Sequence, residues 1–302
     1  MHIDHRARYK LKTAREFEAQ NNPLHAIQLY LLLINDYPKF TEPYFRLAEI
    51  YENLDKLNSA IDLFEKISNL QPDDNDVKLY YGQFLIRNAE WERAIDILSF
   101  ISSEDKPIVF YFTGYAYFML KDFESAKVNF LNFIISDEQP EIIQEAYLYL
   151  AKIEIERKEF NSALLYAKRA EVLFSDFWEL YVIYAQAYFF LDMINHAIKS
   201  IEKALRFNPK EPKVFVWAGK IYFKNNDYKK AENYFTKFIK LSEDISSEDY
   251  TLLAEVFLHN GKFRKAITYF DSAVKLNPKN KIAVEGKNNA QNLLTKNSIF
   301  DA

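Results

Sequence analysis

Apolar residues recur at three- and four-residue spacing in successive stretches, each broken by a short polar segment. That period predicts amphipathic helices rather than strands. The stretches also repeat on a longer scale. Ala26, Ala60, Ala94, Ala126, Ala163, Ala197, Ala231 and Ala266 follow one another at spacings of 34, 34, 32, 37, 34, 34 and 35 residues. With each of these alanines counted as position 20, repeats begin at Ala7, Thr41, Asn75, Pro107, Gln144, Trp178, Pro212 and Ser247. Position 8 then reads Ala14, Ala48, Gly82, Gly114, Ala151, Ala185, Gly219 and Ala254. Two helices that pack closely need small side chains where their backbones approach, and positions 8 and 20 supply one from each.

Large residues hold the same register. Position 11 carries Phe17, Tyr51, Leu85, Tyr117, Tyr188, Tyr222 and Phe257, with Glu154 as the exception. Position 24 carries Tyr30, Phe64, Leu98, Phe130, Ile201, Phe235 and Phe270, with Ala167 as the exception. Pro38, Pro72, Pro209 and Pro278 share position 32, and no proline falls inside a predicted helix. The last repeat shows the full pattern in Tyr250, Leu253, Ala254, Phe257, Ala266, Phe270, Ala273 and Pro278. This resembles the tetratricopeptide repeat family. The resemblance implies an all-α protein, an α-solenoid of eight helical hairpins in a right-handed superhelix, closed by a C-terminal capping helix. The expected organisation is a tail over residues 1–6, then repeats over 7–40, 41–74, 75–106, 107–143, 144–177, 178–211, 212–246 and 247–280. A capping helix is expected over 281–295 and a frayed tail over 296–302.

At about 100° per residue, positions 4, 7, 8 and 11 of the first helix share one face. They pack on positions 20, 24 and 27 of the second. Positions 2, 5, 9, 12 and 13 lie opposite, with position 6 on the flank. The resemblance implies that this second face lines a concave groove that binds extended peptides or partner helices. The groove residues expected to hold such a ligand are Tyr80, Tyr111, Phe112, Tyr115, Phe118, Tyr149, Lys152, Gln186, Phe189, Trp217 and Lys220. Tyr111, Tyr115 and Phe118 are expected to face the groove. The position-6 aromatics either face it or pack between repeats. Lys152, Gln186 and Lys220 would orient the ligand's backbone or acidic groups. Family members that clamp a C-terminal carboxylate do so with Lys and Asn at fixed groove positions. Here Leu11, Arg15, Arg46 and Glu49 stand in the corresponding region, so that clamp is not expected.

Composition adds little to the fold and narrows the chemistry. The 302 residues include 5 Gly, 9 Pro, no Cys and 17% aromatics. The lack of cysteine excludes disulfides and thiolate metal sites. The net charge of −4 argues against nucleic acid as a partner. The charge is uneven: residues 178–302 hold 19 basic and 14 acidic side chains, and residues 41–177 hold 14 and 25. No phosphate loop, dinucleotide glycine pattern, zinc-protease His pair or nucleophile elbow is present. His2, Asp4 and His5 read as an ordinary polar N-terminus, and Glu154 reads as a surface acid near Lys152, Arg157 or Lys158. No cofactor and no metal are expected. The sequence therefore predicts a non-catalytic scaffold or adaptor for a protein or peptide, cytoplasmic, without direct membrane insertion. Two alternatives stay open: self-association into a homo-oligomer, and an accessory role in membrane or envelope assembly.

Overall fold

The computed structural model describes residues 4–136, 140–172 and 175–300. Among them the fold is all-α, with 17 helices and no strand. The chain divides into two compact units, Met1–Glu138 and Gln139–Ala302. The first unit stacks four hairpins: α1 (His5–Ala19) with α2 (Pro23–Asp36), α3 (Thr41–Asn53) with α4 (Leu57–Leu70), α5 (Asn75–Arg87) with α6 (Trp91–Ser99), and α7 (Ile108–Met119) with α8 (Phe123–Ser136). The second unit stacks α9 (Pro140–Glu156) with α10 (Phe160–Glu171), α11 (Trp178–Phe190) with α12 (Ile194–Phe207), α13 (Pro212–Lys224) with α14 (Tyr228–Leu241), and α15 (Ser247–His259) with α16 (Phe263–Leu276). Helix α17 (Lys281–Phe300) packs on α16. Within each unit every hairpin also touches the next, which makes each a solenoid.

Several expected boundaries move. Helix α1 starts at His5, inside the segment expected as tail, because Asp4 caps it by accepting the Ala7 N–H at 2.8 Å. The 32-residue spacing before Ala126 reflects the short α6, nine residues long. The 37-residue spacing after it reflects α9, which begins at Pro140 and runs for 17 residues. Residues 140–143 therefore belong to the fifth hairpin and not to the fourth. Helix α17 continues to Phe300, past the expected end at residue 295. Residues 1–3, 301 and 302 of the two expected tails lie outside the described residues.

The turn inside each hairpin is the same in all eight. Position 15 adopts a left-handed conformation at Asn21, Asp55, Ala89, Lys121, Lys158, Asp192, Asn226 and Gly261. The next N–H then reaches back to the carbonyl of position 11, from Asn22 to Phe17 at one end of the chain and from Lys262 to Phe257 at the other, at 2.8–3.0 Å throughout. This is a Schellman-type closure, which satisfies an orphan carbonyl of the first helix. Only Gly261 is a glycine, so Ala89 (φ 59°), Lys121 (φ 62°) and Lys158 (φ 63°) carry the steric cost of a Cβ there.

The small residues at position 8 meet the large residues at position 24. A Cβ on Gly82 would fall 2.5 Å from Leu98, and one on Gly219 would fall 2.8 Å from the Phe235 ring. Repeat 5 departs from this rule, since Ala151 faces Ala167 and both are fully buried. There Glu154 is core and not surface, at 1% exposure, with Arg157 Nε 3.9 Å from its carboxylate.

Glycine and alanine should therefore act in opposite directions at two sites. Ala89→Gly removes left-handed strain of about 1–2 kcal/mol and gives back part of it as unfolded-state entropy. Its expected effect is a higher urea midpoint, with a gain under about 1 kcal/mol. Gly219→Ala should destabilise by about 1–3 kcal/mol, because overpacking outweighs the better helix propensity. Either shift in the reverse direction would contradict this packing.

Candidate functional site

The inner face of each unit is formed by its first helices. In the first unit most of its polar groups pair with one another. Arg15 pairs with Glu42, Arg46 with Glu49 at 3.4 Å, and Arg87 with Glu52 at 3.2 Å. The Tyr80 hydroxyl donates to Glu49, and its ring stacks on Phe45 at 4.3 Å between centroids. Burial, and then the bond to Glu49, push the Tyr80 hydroxyl up to about 12, so it remains a donor. This expected groove aromatic thus serves as a joint between the second and third hairpins.

The aromatics of α7 divide. Tyr111 is not on the groove: it is 9% exposed and its ring packs on Phe112, Phe130 and Phe133 at 5.4–6.0 Å. Position 5 is in fact a core position. Leu11, Leu148, Val182, Val216 and Thr251 occupy it in other repeats and are also buried. Adjacent first helices such as α5 and α7, or α11 and α13, touch one another and cover this flank. Phe112, Tyr115 and Phe118 are half-buried. Tyr115 lies edge-on to Trp91 at 5.9 Å, and Phe118 lies against Phe123 at 6.0 Å.

The inner face of the second unit is organised differently. Position 9 of successive repeats reads Lys152, Gln186, Lys220 and Glu255. Lys152 pairs with Glu179 on the next first helix, and its ammonium lies 5.1 Å from the Tyr149 ring. Lys220 repeats the motif two hairpins later, 3.7 Å from Asp249 and 5.2 Å from the Trp217 ring. Gln186 occupies the intervening place, and repeat register sets Lys213 across from it at position 2. This rung is open. Gln186 is 8% exposed, yet among the described residues its amide has no hydrogen-bond partner, and Lys213 makes no ion pair. Lys213 is exposed to water, with neighbouring protein burying it in part. That burial, with the like charge of Lys152, pulls its ammonium below the usual lysine value. Glu255 is held above the usual carboxylate value by burial.

Beside the open rung lies an aromatic cluster. Phe189 and Phe190 both meet Trp217 edge-on, at 5.8 and 5.9 Å, and Phe190 stacks on Phe160 at 4.7 Å. Lys224 covers Phe189 at 4.7 Å, while Phe190 keeps 49% of its surface in water. Phe189 and Trp217 are half-buried. The sequence-based site thus brings Tyr149, Lys152, Gln186, Phe189, Trp217 and Lys220 onto one unit. It misses Lys213, whose signal was only its groove-side register. Among the described residues no group of three or more His, Asp or Glu side chains is placed to hold a metal ion. Asp4 is engaged by the Tyr37 hydroxyl at 2.9 Å, and His2 lies outside the described residues. No helix among them is long and apolar enough to cross a membrane.

Two family models, both described as tetratricopeptide repeat, match residues 247–280 and residues 41–74, 179–211 and 212–245. No curated protein matches the sequence. Solved structures with a similar fold include a chain of the APC/C hetero-tetramer Cut9–Hcn1, with TM-score 0.64 and 16% identity over 88% of this chain. The chain spans about half of that one, 52% of its length. Pseudomonas aeruginosa pilF aligns with TM-score 0.60 and 16% identity, over 70% of this chain and 95% of its own. YrrB, described as a TPR protein with an unusual peptide-binding site, aligns with TM-score 0.50 and 19% identity, over 66% of this chain and 97% of its own. At these identities the likeness is one of fold.

Tyr111→Ala should behave as a core truncation, costing about 3–5 kcal/mol. Tyr115→Ala, at a half-buried site, should cost clearly less. Urea unfolding of the two variants checks this, and equal losses would return Tyr111 to the groove.

Proposed function

Because the chain belongs to the tetratricopeptide repeat family, whose fold generally serves as a scaffold for protein–protein interaction, we propose that it is a scaffold that holds an extended protein segment on the inner face of its second unit. The observation that carries this reading is the open rung. Lys152–Glu179 and Lys220–Asp249 are closed pairs, and between them, among the described residues, Gln186 makes no hydrogen bond and Lys213 no ion pair, although the charges of Glu179, Glu156 and Glu211 act on Lys213 at longer range. The Gln186 amide touches solvent and has no protein partner among the described residues, so it can exchange water for a ligand's backbone, a bond worth about 0.5–1.5 kcal/mol net. The Lys213 ammonium is exposed and partly desolvated, so it can meet an incoming carboxylate. Phe190 and Trp217 add apolar area on rigid aromatic frames.

The bound segment is thus an extended chain with an acidic group at Lys213, backbone at Gln186 and an apolar side chain on Phe190. The peptide site in the YrrB description supports the same use of this fold. Stacked hairpins preorganise the face, so most of the ordering cost falls on the ligand. The first unit is a weaker candidate, because Arg46, Glu49, Tyr80 and Glu52 already satisfy one another or their neighbours.

Affinity capture with wild type and a Gln186→Ala/Lys213→Glu variant, read by quantitative mass spectrometry, tests the assignment. Proteins enriched by the wild type should fall at least tenfold with the variant, at equal far-UV helicity. Equal enrichment by both would remove the inner face of the second unit as the site.

A further inference from the structure

The opposite side of the second unit carries a cleft that the inner-face reading does not use. It lies between α10 and α12, with α11 as its floor, and encloses about 450 Å³. Tyr181, Tyr184 and Tyr188 form the floor. Lys168 stands on one wall, and Lys199 and Lys203 stand on the other, one helical turn apart. Among the described residues none of these three lysines makes an ion pair. Lys203 lies 4.8 Å from the Tyr181 ring.

The repeat supplies an internal control. The first unit has the same cleft between α4 and α6 over α5, about 330 Å³ in volume. There position 25 is Glu65, position 22 is Asp96 and position 19 is Arg93. Arg93 pairs with Glu65 at 3.1 Å and reaches the Tyr81 hydroxyl at 3.5 Å, and with Asp96 beside them that cleft is net negative. In the second unit the same three positions are Lys168, Lys199 and His196. Both acids have become lysines and the guanidinium has gone. No other repeat has lysine at position 22 or position 25.

The remaining acid is already engaged. Glu171 accepts the Tyr184 hydroxyl at 3.0 Å and lies 3.2 Å from that of Tyr181. Burial, then the bond to Glu171, push the Tyr184 hydroxyl upward, which keeps it a donor and keeps Glu171 occupied. His196 is taken up by the Tyr188 ring, 5.1 Å away. Ser200 is buried at the base, and among the described residues its hydroxyl has no hydrogen-bond partner. The cleft therefore combines a ring-lined floor, a free hydroxyl and cations on both walls.

We propose that this cleft between α10 and α12 binds an acidic protein segment, with carboxylates against Lys168 on one wall and Lys199 and Lys203 on the other, and an aromatic side chain on the tyrosine floor. Charge complementarity and volume select this occupant. A single inorganic anion would meet one wall and leave the ring floor unused. A segment with spaced carboxylates meets both walls, and its aromatic ring covers the half-buried Tyr188 and Leu164 of the floor and wall.

The probe is a fluorescein-labelled hexapeptide of alternating Glu and Phe, titrated with the full chain by fluorescence anisotropy. Saturable binding is expected, with Kd raised at least tenfold by Lys168→Glu/Lys199→Glu. Lys275→Glu/Lys279→Glu, which changes the net charge equally at exposed sites elsewhere, should leave Kd within about twofold. A Gln–Phe hexapeptide should not bind. Absence of saturable binding, an equal Kd for the cleft variant, or full displacement by millimolar inorganic phosphate would overturn the proposal. Loss of binding with Lys213→Glu and not with the cleft pair would place the peptide on the inner face, which overturns the cleft and spares the other reading. Loss with the cleft pair alone supports the cleft whatever becomes of the inner face.

Discussion

The contact on which the rest of the structure depends is the seating of a large position-24 side chain over a residue with little or no side chain at position 8. Leu98 over Gly82, Phe130 over Gly114 and Phe235 over Gly219 leave no room even for one added carbon without a shift. A helix glycine costs about 1 kcal/mol against alanine, so its use at three of eight such sites marks where close approach outweighs propensity. This seating fixes the distance and rotation of each hairpin. The left-handed residue at position 15 then fixes its reversal. Once both are set, every other column along the first helix has a determined environment. The free columns differ from the packed ones only in what the next hairpin covers.

Repeat 5 shows the consequence of relaxing that contact. Ala151 and Ala167 face each other without a large partner, and a glutamate is buried at position 11 where other repeats carry a ring or leucine. Its second helix, α10, nevertheless forms one wall of the outer cleft, and its first helix, α9, supplies the closed rung at Lys152. The two proposed surfaces therefore share the sixth hairpin, α11 with α12. In a solenoid each column is repeated with the same backbone, so a change of residue type within a column changes surface chemistry with little change in packing. The first unit's cleft is the reference for the outer one, since at the same positions it holds an arginine paired with one of two acids.

What the sequence reveals follows the same logic. Periodicity exposes residues that every repeat needs for the same reason, which is why the small positions, the rings at positions 11 and 24 and the prolines at position 32 align. It does not expose the turn. Ala89, Lys121 and Lys158 have none of the turn chemistry of Asn or Gly, and only the hydrogen bond from position 16 to position 11 forces their backbone. Tyr111 is misread for a related reason. A helical wheel gives direction relative to the partner helix and says nothing about the neighbouring hairpin, which covers position 5 from the side. Position 7 of the same helix is Thr113 where most other repeats hold Leu or Tyr, and the Tyr111 ring lies over Phe130 and Phe133 nearby.

The columns proposed to bind are harder to read because their meaning lies in pairing between repeats. Lys152, Gln186 and Lys220 occupy one column, yet two are neutralised by acids on the next helix and one is not. Residue type alone ranks the lysines above the glutamine. Pairing reverses that order, because a charge already matched has less to gain from a ligand than an amide or an ammonium left without a protein partner. The same reasoning separates the outer clefts, where Arg93 closes one and its absence leaves the other basic. In this chain the residues proposed to bind are those whose counterpart in the adjacent hairpin is missing, and that absence is a property of two columns at once.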